Sequence, residues 1–154
     1  RGLADLATPD IDLPPPCLLR WKPGESEIDQ DFYVDLESTV GSGLLSGAMG
    51  RGDDTMVMLS YTSDDDPSEY GLREVLDENL WQWTEVNFQT EESTVVDSIP
   101  RQGVSALGWL VDDQYLVPRF DTEAGTSTLY RIEDGGSTEL LSVTGEIFYV
   151  AKVR

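Results

Sequence analysis

Short apolar runs alternate with polar turns from Ser105 to Val143, and this pattern predicts four consecutive β-strands. Strands that follow one another through tight turns pair antiparallel and form an up-and-down meander, the arrangement of one β-propeller blade. The predicted strands of this unit are Trp109–Val111, Gln114–Phe120, Thr128–Ile132 and Thr138–Val143.

The same succession of strands and turns occupies much of the remaining chain. A loop is predicted over Glu37–Gly43, and apolar residues at helical spacing indicate a short helical turn within Tyr70–Asn79. The further predicted strands are Cys17–Trp21, Asp31–Leu36, Leu44–Met49, Thr55–Tyr61, Leu80–Phe88, Thr94–Ile99 and Ile147–Val153. This pattern is typical of an all-β protein.

An internal repeat sets the phase of the predicted blades. Asp53-Asp54 precedes one strongly apolar strand as Asp112-Asp113 precedes another, and a Ser-Thr-led strand closes each unit. Residues 17–154 therefore predict about two and a half to three blades of antiparallel four-stranded meander. Such a run belongs to a larger propeller or is completed by a protein partner, because open strand edges favour aggregation. The alternative is an antiparallel sandwich with the same meander order.

The predicted β-propeller region is preceded by a stretch with little periodicity. Residues 1–16 end in three consecutive prolines. Proline lacks an amide N–H and has a fixed φ, so the stretch predicts an extended lead-in.

The charge of the chain narrows the classes of partner. Thirty acidic residues against ten basic ones give a formal charge of −20, which repels nucleic acid and anionic lipid headgroups. It suits a salty or extracellular setting, or attraction of cations and basic partners. No apolar run approaches the length of a membrane span. Cys17 is the single cysteine and histidine is absent, which excludes an intrachain disulfide and the commonest general base.

One segment carries a family resemblance. Residues 17–38, CLLRWKPGESEIDQDFYVDLES, resemble a hairpin of certain bacterial exported propeller proteins, the MxcI-like group found beside siderophore genes. The resemblance extends by motif over residues 17–60 and beyond them by strand pattern only. It implies an exported, non-enzymatic propeller with a role near metal-chelate uptake. The matching residues are Arg20, Pro23, Gly24, Asp29, Asp31, Phe32, Asp35 and Leu36.

The densest acidic cluster is a candidate calcium site. Asp64, Asp65 and Asp66 stand together in the loop SDDDPSE, and calcium prefers several carboxylate and carbonyl oxygens. The spacing is not that of an EF-hand loop, so a solvated loop is the competing interpretation. No other cofactor is predicted.

Arginine and tryptophan supply the candidate ligand-binding residues. Arg20, Arg119 and Arg131 lie within predicted strands of a very acidic chain. They would pair with carboxylates or line a central channel, where an arginine can bind an anionic ligand through two hydrogen bonds. Trp109 would add a stacking surface.

The remaining aromatic residues favour packing between blades. Trp81 and Trp83 point the same way on one strand, as do Leu19 and Trp21 on an equivalent one. The recurrence of this pattern predicts that both pairs face the core.

These patterns favour a non-catalytic, exported binding module, periplasmic or at the cell surface, for a ligand or partner linked to siderophore uptake. The repeated aspartate pairs are more economically explained as turns than as catalytic groups. Two alternatives remain at this point: a propeller hydrolase or lyase using a carboxylate pair, and a structural subunit that completes another chain's propeller.

Overall fold

The computed structural model describes residues 15–64, 70, 72–77, 79–104, 107–147 and 149–152, and these residues form an all-β protein. The strands are β1 (Cys17–Trp21), β2 (Ile28–Asp35), β3 (Leu45–Gly50), β4 (Thr55–Tyr61), β5 (Trp81–Asn87), β6 (Glu92–Val95), β7 (Trp109–Val111), β8 (Gln114–Asp121), β9 (Thr126–Glu133) and β10 (Gly136–Thr144). The helices are α1 (Leu36–Val40) and α2 (Leu72–Asp77). The predicted lead-in lies almost entirely outside the described residues.

Three antiparallel sheets contain these strands within the described ranges. Sheet 1 is the hairpin β1–β2, sheet 2 has the order β3-β4-β5-β6, and sheet 3 has the order β10-β9-β8-β7. The predicted four-strand meander at Ser105–Val143 is confirmed as sheet 3, with each strand paired to its sequence neighbour. Local turn chemistry explains this success, because adjacent strands joined by tight turns need no distant information to pair.

Two predicted elements differ from the observed ones. The predicted loop over Glu37–Gly43 begins instead with α1, because the Asp35 carboxylate accepts a hydrogen bond from the Ser38 amide at 3.1 Å and caps the helix. The predicted strand Thr94–Ile99 is shifted, since β6 ends at Val95 and the Ile99 amide donates to the Val96 carbonyl in a turn. Val96 and Ile99 are fully buried, so their apolar pattern reflects a turn inserted into the core.

Two cores lie on opposite sides of sheet 2. One contains Val57 and Leu59 of β4 together with Tyr115 and Val117 of β8, and so joins sheets 2 and 3. The other contains Met56 and Met58 of β4 with Val34 of β2, and joins sheets 1 and 2. Alternate residues of β4 therefore face different neighbouring sheets, and both faces of sheet 2 are covered.

The predicted strand Ile147–Val153 is wrong for its described residues, which form no strand. The Ser127 hydroxyl donates to the Gly145 carbonyl at 2.7 Å, and the Ile147 amide donates to the same hydroxyl at 3.2 Å. Farther along, Lys152 Nζ lies 2.8 Å from a carboxylate oxygen of Asp112 in the β7–β8 turn. The segment is thus tied to β9 through Ser127 and to the β7–β8 turn through Asp112.

Candidate functional site

Arg20, a predicted ligand-binding residue, is engaged within sheet 1. Its Nε donates to the Asp29 carboxylate at 2.9 Å, and Lys22 Nζ lies 3.0 Å from the same oxygen. The guanidinium also stacks on the Phe32 ring, 4.4 Å from its centroid. Hydrogen bonds from Arg20 and then Lys22 hold the pKa of Asp29 below its usual range. The Asp29 side chain is almost fully buried, so this pair is part of the packing of the hairpin.

The residues that carry the family resemblance have local structural roles. Glu25 donates its amide to the Lys22 carbonyl at 3.2 Å, and Gly24 has φ of 85°, so Pro23-Gly24 forms a type II turn. Asp35 caps α1, and the Ser38 amide and hydroxyl hold its pKa below the usual range. The motif therefore encodes a hairpin that ends in a capped helix.

Arg119 and Arg131 pair with carboxylates on their own strands. Arg119 Nη1 lies 2.6 Å from Asp121, and Arg131 Nε lies 2.7 Å from Glu133. Arg119 alternates with Val117 and so shares the side that faces sheet 2, whereas Arg131 pairs across the strands with Leu116 on the opposite side. The two guanidinium groups lie on opposite faces of sheet 3.

Trp109 lies on the same face of sheet 3 as Arg131, but β8 lies between their two strands. Trp109 is the cross-strand neighbour of Leu116, and Leu116 is in turn the neighbour of Arg131. Of the four predicted ligand-binding residues, sheet 3 thus brings these two to one side with a strand between them. Arg20 lies on sheet 1.

The calcium prediction falls mainly outside the described residues. Asp65 and Asp66 lie there, and Asp64 is exposed. Among the described residues, no group of three or more carboxylate or thiol side chains is placed to hold a metal ion. The calcium site therefore stays a prediction.

The aspartate pairs at the two repeated positions adopt different geometries. Asp112 and Asp113 have φ of 50° and 60° and connect β7 to β8 as a type I′ turn. Asp53 instead accepts hydrogen bonds from the Thr55 hydroxyl at 2.7 Å and the Thr55 amide at 2.9 Å, and these bonds lower its pKa. Both pairs build turns, as the sequence predicts.

Another carboxylate with a lowered pKa also stabilises a turn. The Ala124 amide donates to Asp121 at 2.9 Å and lowers its pKa, and Arg119 adds to the effect. A carboxylate held in its charged form is suited to turn formation or ion pairing. It is poorly suited to donate a proton near neutral pH.

An exposed apolar surface on sheet 1 was not predicted. Leu19 is 50% exposed, Trp21 58%, Ile28 44% and Tyr33 56%. We name this surface the hairpin face. Leu19 pairs with Tyr33 and Trp21 pairs with Ile28, so the four side chains form two cross-strand pairs, and the register of the hairpin shifts between them.

The prediction that both pairs, Trp81/Trp83 and Leu19/Trp21, face the core is confirmed for one pair only. Trp81 and Trp83 are fully buried, as predicted, whereas the prediction for Leu19 and Trp21 is wrong. The two strands have the same alternation, but among the described residues sheet 2 has a neighbour on each side, whereas sheet 1 packs on sheet 2 with one side and has no sheet on its other side. The sequence contains a signal that this face is exposed, because Asp31 and Asp35 alternate with Tyr33 along β2 and therefore share its face.

Comparison with protein families, curated proteins and solved structures finds no match for this chain. In the part of the chain that the structure describes, no helix is long and apolar enough to cross a membrane.

Proposed function

We propose that this chain is a non-catalytic β-propeller module in which sheets 2 and 3 are blades and sheet 1 is the outer half of another. In this proposal, its role is to bind a protein that continues the propeller, by adding strands to the half-built blade and by packing against the hairpin face. The observation that carries it is the contrast between sheet 2, covered on both faces, and the hairpin face, which is open.

The stacking of the sheets favours blades over a two-layer sandwich. A sandwich buries one face of each sheet and leaves the other to solvent, whereas the faces of sheet 2 are packed against two different sheets. The first strands of the two four-stranded sheets, β3 and β7, contact each other. This contact suits blades arranged around an axis, where the innermost strands crowd together.

The state of sheet 1 supports the binding role. In the described residues it has two strands where sheets 2 and 3 each have four. Within these ranges neither strand has a second neighbour, and unpaired strand edges readily accept another strand. A partner that supplied the missing strands would satisfy these backbone groups, and a sheet packed on the hairpin face would cover its apolar side chains.

The carboxylates favour binding over the hydrolase or lyase alternative. Each described carboxylate with a resolved shift has a lowered pKa, and each is held by a turn, a helix cap or an ion pair; they are Asp29, Asp35, Asp53 and Asp121. A general acid for glycosidic or similar chemistry needs a raised pKa. This is the physical reason for the non-catalytic proposal.

Only the family resemblance of residues 17–38 supports the proposed periplasmic or cell-surface location and the proposed connection to siderophore uptake. An exported, acidic module at the periplasm or cell surface would meet a basic protein more readily than an anionic ferric chelate. The arginines that could bind such a chelate are paired with carboxylates. We therefore propose a protein partner as the primary ligand.

Amide hydrogen exchange on the isolated chain tests the proposal. Amides of β1 and β2 are expected to exchange at least about a hundredfold faster than those of β4 and β5, because local opening of an incomplete sheet exposes them. Equal protection in sheets 1 and 2 would show that sheet 1 is already complete, and would remove the basis of the proposal.

A nuclear magnetic resonance titration of the side-chain carboxyls tests the catalytic alternative. We expect the carboxyls with a lowered pKa, those of Asp29, Asp35, Asp53 and Asp121, to titrate below their ordinary value of about 4. A carboxyl that titrates above about 6 would instead favour an acid–base enzyme.

A further inference from the structure

The hairpin face has the composition of a docking surface. It presents two aromatic and two aliphatic side chains in two cross-strand pairs, one on each side of the register shift in the hairpin, and each side chain is between 44% and 58% exposed. Aromatic side chains concentrate in the cores of protein interfaces because they bury large area with few rotatable bonds. The indole N–H of Trp21 donates to the Glu25 carbonyl at 2.8 Å, which holds this ring in position over the turn.

The packing of the opposite side indicates which kind of element fits the hairpin face. The inner side of sheet 1 packs Leu18, Phe32 and Val34 against sheet 2. Sheets 1, 2 and 3 thus form a stack in which each sheet packs face to face with its neighbour. A further β-sheet laid on the hairpin face would repeat the packing that already exists on its inner side.

Charge identifies the partner chemistry. The hairpin from residues 17 to 35 contains five acidic and two basic residues. Both basic side chains, Arg20 and Lys22, are held by the Asp29 carboxylate. Exposed acidic residues remain around the apolar pairs: Asp31 lies two residues from Tyr33 along β2, and Glu25 is the residue whose backbone carbonyl accepts the hydrogen bond from Trp21.

A second copy of the chain is the less favourable occupant. Each copy carries a formal charge of −20, and like charges brought together across an interface oppose association. A partner with lysine or arginine around an apolar face would be attracted and would leave no carboxylate buried without a counter-charge.

We propose that the hairpin face binds a β-sheet of a separate partner protein, with an apolar centre and a rim of lysine and arginine. This inference rests on the proposed function and deepens it by naming the surface and the chemistry of the partner. The apolar pairs supply the buried centre of the interface, and the acidic rim selects the charge.

Designed β-hairpin peptides provide the probe. The first peptide has valine and tyrosine on one face and a lysine rim; the second keeps the lysines but has serine and threonine on that face. The third keeps the apolar face and has a glutamate rim. Binding of each labelled peptide to the intact chain is measured by fluorescence anisotropy at low and high salt.

The lysine peptide with the apolar face is expected to bind most tightly. The polar-face peptide should bind about tenfold more weakly, because two buried side chains are lost. The glutamate peptide should not bind measurably, and added salt should weaken the lysine peptide.

Matched variants of the chain locate the binding surface. Leu19→Ser with Tyr33→Ser should weaken binding of the lysine peptide about tenfold without changing the charge. Leu140→Ser with Val143→Ser removes comparably exposed apolar side chains from β10 and should change affinity less than about twofold. Thermal melting and circular dichroism of both double variants establish that each is folded. Trp21→Ser provides a second variant of the hairpin face.

Three results would overturn the inference. Equal affinity of the lysine peptide for wild type and for the Leu19/Tyr33 variant would show that the peptide binds through general attraction between a basic peptide and an acidic chain. Equal binding of the lysine and glutamate peptides would show that the hairpin face does not select a basic partner. Self-association in sedimentation, abolished by the Leu19/Tyr33 variant, would assign the hairpin face to a second copy. Hydrogen exchange in sheet 1 is measured without peptide, so it tests the proposed half-blade independently. A failure of the peptide test would therefore overturn the docking surface and not the half-blade.

Discussion

Gly108 lies directly against the side chain of Met49, and this contact joins the start of β7 to β3. A Cβ atom placed on Gly108 would lie 2.6 Å from the Met49 Sδ and 3.1 Å from the Val117 Cγ1. Sheets 2 and 3 therefore approach so closely at their first strands that a side chain on Gly108 would require its neighbours to move.

Valine at position 108 is expected to lower the free energy of unfolding by about 1–3 kcal/mol, because it overfills this contact. Combining it with Met49→Ala should relieve at least about 1 kcal/mol of that effect, since the thioether is one of the obstructing groups. Urea unfolding of the single and double variants measures the coupling. Gly136→Ala is the control, because its Cβ would meet its nearest neighbour, the Glu133 carbonyl oxygen, at an ordinary 3.6 Å. Strictly additive effects of the Gly108 and Met49 changes would contradict the prediction.

Phenylalanine substitutions at two tryptophans should have very different effects. Trp81 is fully buried and its indole N–H donates to the Val75 carbonyl at 2.6 Å. Trp81→Phe should therefore destabilise the chain by about 2–4 kcal/mol, through a cavity and an unsatisfied carbonyl. Trp21→Phe, on the exposed hairpin face, should change stability by less than about 0.5 kcal/mol. Comparable losses in urea unfolding would show that the isolated chain buries Trp21.

The second aspartate of each repeated pair should respond oppositely to glycine. Asp113 has φ of 60°, a region that glycine adopts without strain, so Asp113→Gly should stabilise the chain by about 0.5–1 kcal/mol. Asp54 does not have a positive φ, so Asp54→Gly should destabilise it by a similar amount through the greater entropy of the unfolded chain. Both changes remove one negative charge, and differential scanning calorimetry compares them directly. Stabilisation by both would indicate that charge repulsion, and not turn geometry, controls the response.

Asp29 should contribute to stability in a pH-dependent way. Its pKa is lower in the folded protein than its ordinary value, because Arg20 and Lys22 stabilise the carboxylate. The stabilisation is therefore present above the unfolded pKa of about 3.9 and is lost as pH falls through the folded pKa. The difference in unfolding free energy between wild type and Asp29→Asn should be constant from about pH 5 to 7 and shrink below about pH 4.

Asp31→Asn provides the matched control for the Asp29 experiment, since it removes the same charge from an exposed position two residues away. Chemical denaturation across the pH range follows both variants. A difference for Asp29→Asn that does not shrink in acid would mean that the ion pair with Arg20 does not stabilise the folded state.

Strand order and most turns were predictable because their signals are local. Asp112-Asp113 and Pro23-Gly24 each form the tight turn that their residues favour, and the strands on either side pair directly. The helix α1 was missed because its capping aspartate, Asp35, also ends a strongly β-forming run. The candidate site was predicted only as separate residues, and pairing of the arginines with carboxylates was one of the interpretations left open.

The amino-acid sequence alone determined the all-β class and the meander of sheet 3. Alternation and turn chemistry act over a few residues, so they need no knowledge of the rest of the fold. Tertiary structure decided which faces are buried. Trp83 and Trp21 follow the same alternation, yet only Trp83 lies between two sheets. Burial depends on what packs against a strand, and that neighbour is supplied by distant parts of the chain or, as we propose for the hairpin face, by another protein.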